Sequence, residues 1–153
     1  MVESVNTLIV EDSVFDRTMY TALQLNSIVN SAMIERSVFS NNGFRGIIAD
    51  STDLEINEST FYRNNGGQGG CIHAQSSTVT ISVSNFTECR AQGGLDGGAI
   101  YGERVSFTIT STNFTDNQGY GGGGMSGRYS SFNITSSNFI RNTGTHRLSL
   151  IHI

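Results

Sequence analysis

The chain has 153 residues, a formal net charge of -4, no proline and 14% charged residues. This size suits one domain, and the acidic balance argues against a nucleic-acid-binding protein. No apolar run approaches the roughly 20 residues that span a bilayer, and the first ten residues lack the basic and apolar regions of a secretion signal. The many Ser, Thr and Asn residues favour strands and turns over helices.

One unit is repeated six times along the chain. Its most regular positions are six phenylalanines that are 24, 22, 25, 28 and 25 residues apart: Phe15, Phe39, Phe61, Phe86, Phe114 and Phe139. An 18-residue frame around each Phe keeps its spacing, and all variation in length falls between frames. Without any helical pattern, this periodicity predicts an all-β fold, a right-handed parallel β-helix of about six coils with three short strands in each.

The first predicted strand of each coil begins fourteen residues before the Phe. An apolar residue stands there in every copy: Met1, Leu25, Ile47, Ile72, Ile100 and Met125. The residues two positions later are mostly small: Ser27, Ala49, Ala74, Gly102 and Gly127. Such alternation is typical of a strand that buries one face.

The second predicted strand also alternates, with apolar residues seven and five positions before the Phe. The two sets are Leu8, Ala32, Leu54, Val79, Phe107 and Phe132, then Val10, Ile34, Ile56, Ile81, Ile109 and Ile134. Both sets are wholly apolar, so we expect this strand to line the core.

The third predicted strand contains the Phe and follows a hydroxyl residue in every copy. We expect the six rings to form one buried stack, since equivalent positions of neighbouring coils lie about 4.8 Å apart. Three residues after the Phe, asparagine fills four of six positions: Asn42, Asn64, Asn117 and Asn142. We expect these amides to satisfy backbone groups at a corner of the coil.

The segments between frames are predicted to be loops that leave the solenoid on one side. They contain the glycine runs GGQGG (66–70), GGLDGG (93–98) and GYGGGG (119–124). Since all length variation is confined there, we expect any protein partner to contact this edge. The partner itself is unknown from the sequence, with a host-cell protein or a glycan as the candidates.

The motifs GGAI (97–100) and FTDN (114–117), with GGCI (69–72), support a family resemblance. They resemble the GGA[ILV]/FxxN repeats of the chlamydial polymorphic outer-membrane proteins, and the resemblance covers residues 1 to about 142. It implies a right-handed β-helical passenger displayed outside a cell, extracellular or on the outer membrane, that acts in adhesion or as a surface spacer. No cofactor is implied.

Carbohydrate-active enzymes are the alternative function, because pectin-cleaving enzymes share the parallel β-helix and use clustered carboxylates, a basic residue and often calcium. Four acids lie near the glycine loops: Glu88, Asp96, Glu103 and Asp116. No pair recurs on one strand face, so we interpret them as solvated loop acids and assign no catalytic or metal-binding residue. His73, His146 and His152 are interpreted as surface histidines.

The outward face of the second strand carries a grid of small polar residues in the last three coils. Its members are Thr78, Thr80, Ser82, Ser106, Thr108, Thr110, Ser131, Asn133 and Thr135. A solvated sheet surface is the simplest interpretation, because exposed β positions favour Thr. A glycan-binding or ice-binding face is the alternative, and Glu35, Asp53 and Glu55 mark where the grid ends.

Cys71 and Cys89 are predicted to be unpaired thiols. They stand at opposite ends of one frame, whereas a disulfide requires Cα atoms within about 7 Å. Four glycosylation sequons, at Asn57, Asn85, Asn113 and Asn133, are no more than the abundant Ser and Thr produce by chance.

The last six residues, LSLIHI (148–153), are interpreted separately. Codons that encode them match the transposase adapter of sequencing libraries, so we expect read-through there and place the repeats in residues 1–147. We expect those repeats to be a fragment of a longer solenoid.

Overall fold

The chain forms a right-handed parallel β-helix, and a computed structural model describes residues 5–27, 29–145 and 149–152. Every strand pairs in parallel with its equivalents in the neighbouring coils. The predicted fold class is therefore confirmed. Among the described residues no helix could span a bilayer.

Three six-stranded sheets run along the solenoid. The first sheet contains Leu23–Asn26, Ile47–Asp50, Ile72–Gln75, Ile100–Glu103, Gly122–Arg128 and Ser149–His152. The second sheet contains Val5–Glu11, Val29–Glu35, Asp53–Asn57, Thr78–Ser82, Ser106–Thr110 and Ser131–Thr135. The third sheet contains Val14–Asp16, Val38–Ser40, Thr60–Tyr62, Asn85–Thr87, Asn113–Thr115 and Asn138–Ile140.

A fourth, short sheet was not predicted. It contains Asn65–Gly66, Arg90–Ala91, Gln118–Gly119 and Thr143–Gly144, directly after the asparagine position. The prediction of three strands per coil was wrong in these coils. Two-residue strands escape periodicity arguments because they are too short to alternate.

The corners between strands are made by single residues in the left-handed region. In the described residues, each corner that follows the first, second or third strand of a coil holds one non-glycine residue with positive φ, for example Arg36 at +47° and Ser76 at +49°. The amide of such a residue still donates to the next coil, as Arg36 N–H does to the Asn57 carbonyl at 3.1 Å. One left-handed residue in each corner therefore turns the chain without interrupting the stacking.

Hydroxyl side chains explain why Ser or Thr follows the corner before each third strand. The Ser37 hydroxyl donates to the Glu35 carbonyl at 2.8 Å and accepts from the Ser13 amide of the previous coil at 3.1 Å. The Ser59 hydroxyl does the same with Asn57 and Ser37. Each hydroxyl thus satisfies one backbone carbonyl and one backbone N–H at a corner. Because the N–H belongs to the previous coil, the hydroxyl also joins two coils.

The asparagine side chains also join coils, at the corner after the third strand. Asn142 Oδ1 accepts from the Asn117 amide at 3.0 Å, and its Nδ2 donates to the Phe114 carbonyl at 2.7 Å. Asn64 donates in the same way to the Phe39 carbonyl at 2.7 Å. Backbone groups that a corner leaves unpaired are satisfied by these amides.

The six phenylalanines of the third sheet form one continuous stack. Neighbouring ring centroids lie 4.6 to 5.0 Å apart, and the middle four rings are fully buried. The apolar residues of the first and second sheets close the core around them.

The inward side chains of the first and second sheets are matched in size. The Phe132 ring packs so closely against Gly127 that a Cβ added to this glycine would lie 2.7 Å from the ring. Phe107 packs against Gly102 in the same way. In the preceding coils the smaller Leu54 and Val79 leave room for Ala49 and Ala74. The small residues of the first strand therefore complement the large ones of the second.

The predicted register was wrong in the second coil. Leu23 pairs with Ile47, and Leu25 with Ala49, so Leu25 takes the position we assigned to Ser27. Two additional residues therefore lie inside the frame of this coil, which we expected to be rigid. A slip of two keeps the inward and outward alternation, which is why the apolar pattern could not detect it. Met1 lies outside the described residues.

The final segment pairs as a further first strand. Ser149–His152 lies beside Gly122–Arg128, with Ile151 opposite Met125. Its origin from an adapter stays a prediction. His146 and Leu148 lie outside the described residues.

We expect Phe86→Ala to lower the free energy of unfolding by about 3–5 kcal/mol, because it leaves a cavity in the middle of the stack. Urea denaturation followed by circular dichroism measures the change. Ile140→Ala, at a residue of the same sheet with 45% exposure, is the control and should cost under about 1 kcal/mol. Equal losses in the two variants would contradict the importance of the stack.

Candidate functional site

The nine residues of the predicted polar grid lie in three rows on the outer face of the second sheet. Thr78, Ser106 and Ser131 are paired neighbours in the first row. The middle row is Thr80, Thr108 and Asn133, and the third row is Ser82, Thr110 and Thr135. The seven residues other than Thr80 and Ser82 are exposed.

Many of these hydroxyls bond to one another along the rows. Thr110 Oγ1 lies 3.2 Å from Thr135 Oγ1, and the Ser131 hydroxyl donates to Ser106 Oγ at 3.4 Å. Ser82 extends its row by donating to Asn57 Oδ1 at 2.9 Å. Glu55 follows Thr80 in the middle row, so the regular hydroxyl surface ends there. This chemistry suits a solvated sheet surface.

The ten predicted ladder residues do not form a surface site. Eight of them, the middle four phenylalanines and the four asparagines, are buried, while Phe15 and Phe139 are half-buried. All ten stabilise the solenoid, and the eight buried side chains offer no surface to a ligand.

The variable loops leave the solenoid on one edge, as predicted. The backbone N–H of Gln92 donates to the Gly66 carbonyl at 2.6 Å, and the backbone N–H of Tyr120 donates to the Leu95 carbonyl at 3.0 Å. Each loop therefore stacks on the loop of the neighbouring coil. The Asp96 carboxylate lies against Gly121, so Asp96 and Tyr120 are on the same side.

Glycines let the loops pack closely rather than project separately. A Cβ on Gly67 would lie 3.3 Å from Leu95 Cδ1 of the next loop, and one on Gly94 would lie 3.9 Å from the Tyr120 ring. Each large loop side chain thus lies beside a glycine of the loop before it.

Two of these loops fold back across the outer face of the first sheet. The Gln68 carbonyl lies 3.3 Å from His73 Nδ1, and the backbone of Gly97 lies against Tyr101. The His73 and Tyr101 rings stack with centroids 5.4 Å apart. His73 points outward as predicted, yet it is half-buried because the loops cover it.

Burial changes the proton affinity of both rings. It lowers the pKa of His73 from its ordinary value, and the charge of nearby Arg45 lowers it further. It raises the pKa of Tyr101, with a smaller contribution from Glu103. Both rings are therefore held in their neutral forms near neutral pH.

A hollow of about 460 Å³ lies beside the Tyr101 ring. Gln68 and Asp96 of the loops line one part of it, and Tyr101, Ser126 and Arg128 of the first sheet line another. The sequence did not indicate this group, because the loop residues meet the sheet only through folding.

The other three acids near the loops form ion pairs. Glu88 lies 2.8 Å from Arg63, Glu103 lies 3.2 Å from Arg104, and Asp116 lies 2.7 Å from Arg141. The hydrogen bond from Arg141 holds the pKa of Asp116 below its ordinary value. Among the described residues, no three His, Cys, Asp or Glu side chains come together as a metal site would require.

A second groove, of about 400 Å³, lies on the loop edge over the fourth sheet. Its polar lining comes from Asn65, Arg90, Gln92, Gln118 and Thr145, and Tyr120 adds a ring. Sequence reasoning missed this groove. A signal is present, since a polar residue followed by a small one stands after the asparagine position in the last four coils: Asn65–Gly66, Arg90–Ala91, Gln118–Gly119 and Thr143–Gly144.

The prediction of unpaired thiols was wrong, because Cys71 and Cys89 form a disulfide with Cα atoms 5.7 Å apart. The two ends of a frame are distant in sequence, but one full coil brings them together. Both cysteines are buried. The bond closes the fourth coil as a ring and leaves loop 90–99 outside it.

We expect Cys71→Ala with Cys89→Ala to lower the free energy of unfolding by about 3 kcal/mol, as loss of a disulfide around a loop of this length does. The pair Cys71→Ala with Cys89→Asn should regain about 1 kcal/mol, because an amide at 89 can donate to the Phe61 carbonyl as Asn142 does to Phe114. Guanidinium denaturation measures both. Equal stability of the two double variants would contradict the role assigned to the asparagine ladder.

For the polar grid we expect a solvated surface without a ligand. The purified chain should show no thermal hysteresis in ice-growth measurements, and Thr80→Lys with Thr108→Lys should leave any glycan-array signal unchanged. The hydroxyls already bond to each other along the outer rows, and Asn133 and Glu55 interrupt the middle one. Hysteresis that the double variant abolishes would identify an ice-binding face instead.

Comparison with known proteins identifies a family. The chain matches, over residues 1–148, the model of a family described as right handed beta helix region. Neither a curated protein nor a solved structure matches it.

Proposed function

Since the chain belongs to the right-handed β-helix family, we propose that it is a surface-exposed, non-catalytic repeat protein that acts in adhesion. The observation that carries this proposal is the division between a regular solenoid and loops of unequal length stacked along one edge. The ladders hold the solenoid rigid, while the loops present different side chains at a regular spacing. Such a scaffold suits contact with an extended partner.

The buried disulfide supports an extracellular or cell-surface location. Disulfides persist in oxidising compartments and are rare where thiols are kept reduced. Cys71 and Cys89 are fully buried in the core, where the bond adds to stability rather than to reactivity. The resemblance of the GGAI and FTDN motifs to the chlamydial polymorphic outer-membrane proteins supports the same location.

The acids near the loops support a non-catalytic role. Glu88, Glu103 and Asp116 each form an ion pair with an arginine, and two of these pairs join neighbouring coils at a corner. Catalytic carboxylates usually share a cleft with groups that shift their pKa values. The positions of these acids suit pairing at the surface.

A polysaccharide lyase or hydrolase is the second candidate, and the hollow beside Tyr101 favours it. Asp96 supplies a carboxylate, and Arg128 supplies a cation next to the buried phenol. These groups resemble those that move protons in sugar cleavage. An enzyme would release products from the glycan, so product release can be measured in the same experiment as adhesion.

The test uses fluorescent beads coated with the purified chain. We expect the beads to be retained on a panel of immobilised glycans and matrix proteins, and we expect retention to fall at least tenfold when loop 90–99 is replaced by the shorter segment 43–46. The matched control exchanges the polar grid residues Thr80 and Thr108 for Lys, which leaves the loops unchanged. The chain should release neither reducing ends nor unsaturated sugars from the same glycans.

Two results would contradict the proposal. Turnover that Asp96→Asn abolishes would favour the enzyme. Retention that survives removal of loop 90–99 but is lost in the grid variant would move the binding surface to the second sheet.

A further inference from the structure

Arg90 differs from the other arginines of the described residues. Five of the eight form ion pairs with carboxylates, as Arg63 does with Glu88, and Arg45 and Arg128 lie over aromatic rings. Within the part of the chain that the structure describes, the exposed Arg90 guanidinium has no ion pair, hydrogen bond or ring contact. A guanidinium that no other group of the fold contacts is available for a ligand.

The fourth sheet fixes where Arg90 points. Arg90 pairs with Asn65 on one side and with Gln118 on the other, so the three side chains form one outward row. The next residue of each strand, Gly66, Ala91 or Gly119, is small, and a Cβ on Gly119 would lie 2.7 Å from the Gly98 amide nitrogen. Because the backbone of these short strands is packed this closely, the row of Asn65, Arg90 and Gln118 keeps its position at the base of the groove.

The charge of the groove favours an anion. Arg90 is the only ionisable group, apart from the Tyr120 phenol, in the described lining, and no carboxylate lines the groove. The chain as a whole carries a formal net charge of -4, so this spot is positive on an acidic protein. The guanidinium fork binds carboxylate and sulfate groups through paired hydrogen bonds.

The rest of the lining favours a sugar over a peptide. The Asn65, Gln92 and Gln118 amides each donate and accept hydrogen bonds, as sugar hydroxyls require. Tyr120 is 39% exposed and offers a ring to the C–H face of a sugar. The apolar contribution is small, limited mainly to Ala91 and that ring, whereas peptide side chains need apolar pockets.

We propose that this groove binds an acidic glycan, with Arg90 holding a carboxylate or sulfate group and the amides of Asn65, Gln92 and Gln118 binding sugar hydroxyls. The volume of about 400 Å³ lies within the usual range of ligand sites. This inference rests on the proposed adhesive function and names the ligand class and the loop-edge site that provide it.

The test is fluorescence polarisation with four labelled probes. A hyaluronan oligosaccharide carries carboxylates, a heparin oligosaccharide adds sulfates, maltohexaose is uncharged, and a poly-glutamate peptide is acidic without sugar. We expect at least one acidic oligosaccharide to bind, and its preference over the other to identify the anionic group. Arg90→Gln should weaken that binding at least tenfold, and Arg90→Lys should recover part of it.

Arg17→Gln is the matched control, because it removes the same charge from an exposed arginine outside the groove. It should change affinity less than twofold. Both variants should unfold at the temperature of the original chain, since neither guanidinium supports the core. Equal weakening by the two variants would show nonspecific attraction and overturn the inference.

Other outcomes also overturn it. Maltohexaose or poly-glutamate binding as tightly as the acidic oligosaccharides would exclude an acidic-glycan site, and so would the absence of binding to either oligosaccharide. These results leave the adhesive function standing if the coated beads are still retained. Shortened oligosaccharides in the same samples would instead contradict the non-catalytic function, while the Arg90 dependence of binding would still support the groove.

Discussion

Each residue of the frame lies one strand spacing from its equivalent in the next coil, and the other features of the solenoid depend on this in-register stacking. The Phe rings can stack at 4.6 to 5.0 Å only because their strands stay in register. The Ser and Asn side chains can reach backbone groups of a neighbouring coil for the same reason. Because a coil contacts only its neighbours, stability accumulates along the stack rather than within any one coil.

The same constraint separates structural from functional positions. Inside the frame every side chain faces an equivalent partner, so its size and hydrogen bonding are limited by the coils on either side. The loops also stack on their neighbours, through close-packed glycines, but their length can differ from coil to coil. The Arg63 guanidinium, at a corner, pairs with Glu88 of the next coil, whereas the Arg90 guanidinium, after the corner, has no partner among the described residues. A binding surface can therefore change without disturbing the core.

Sequence periodicity predicted the coils, the Phe column and the hydroxyl column, because the hydroxyl residue and the Phe keep a constant distance from each other in every copy of the frame. It could not detect the two-residue slip at Leu23 and Leu25, since an even slip preserves alternation. It also missed the bond between Cys71 and Cys89, whose proximity depends on closure of a full coil. The cover over His73 and the groove at Arg90 arise from loop packing, which has no period to recognise.

Insertion of one glycine tests the stacking account most directly. Placed between Thr80 and Ile81, it reverses the inward and outward sides of the rest of that strand; placed after Gly93, where a Cβ would meet nothing within 4 Å, it only lengthens a loop. Urea denaturation should show loss of cooperative unfolding for the first chain and a change within about 0.5 kcal/mol for the second. Equal stability of the two chains would contradict the dependence of the fold on in-register stacking.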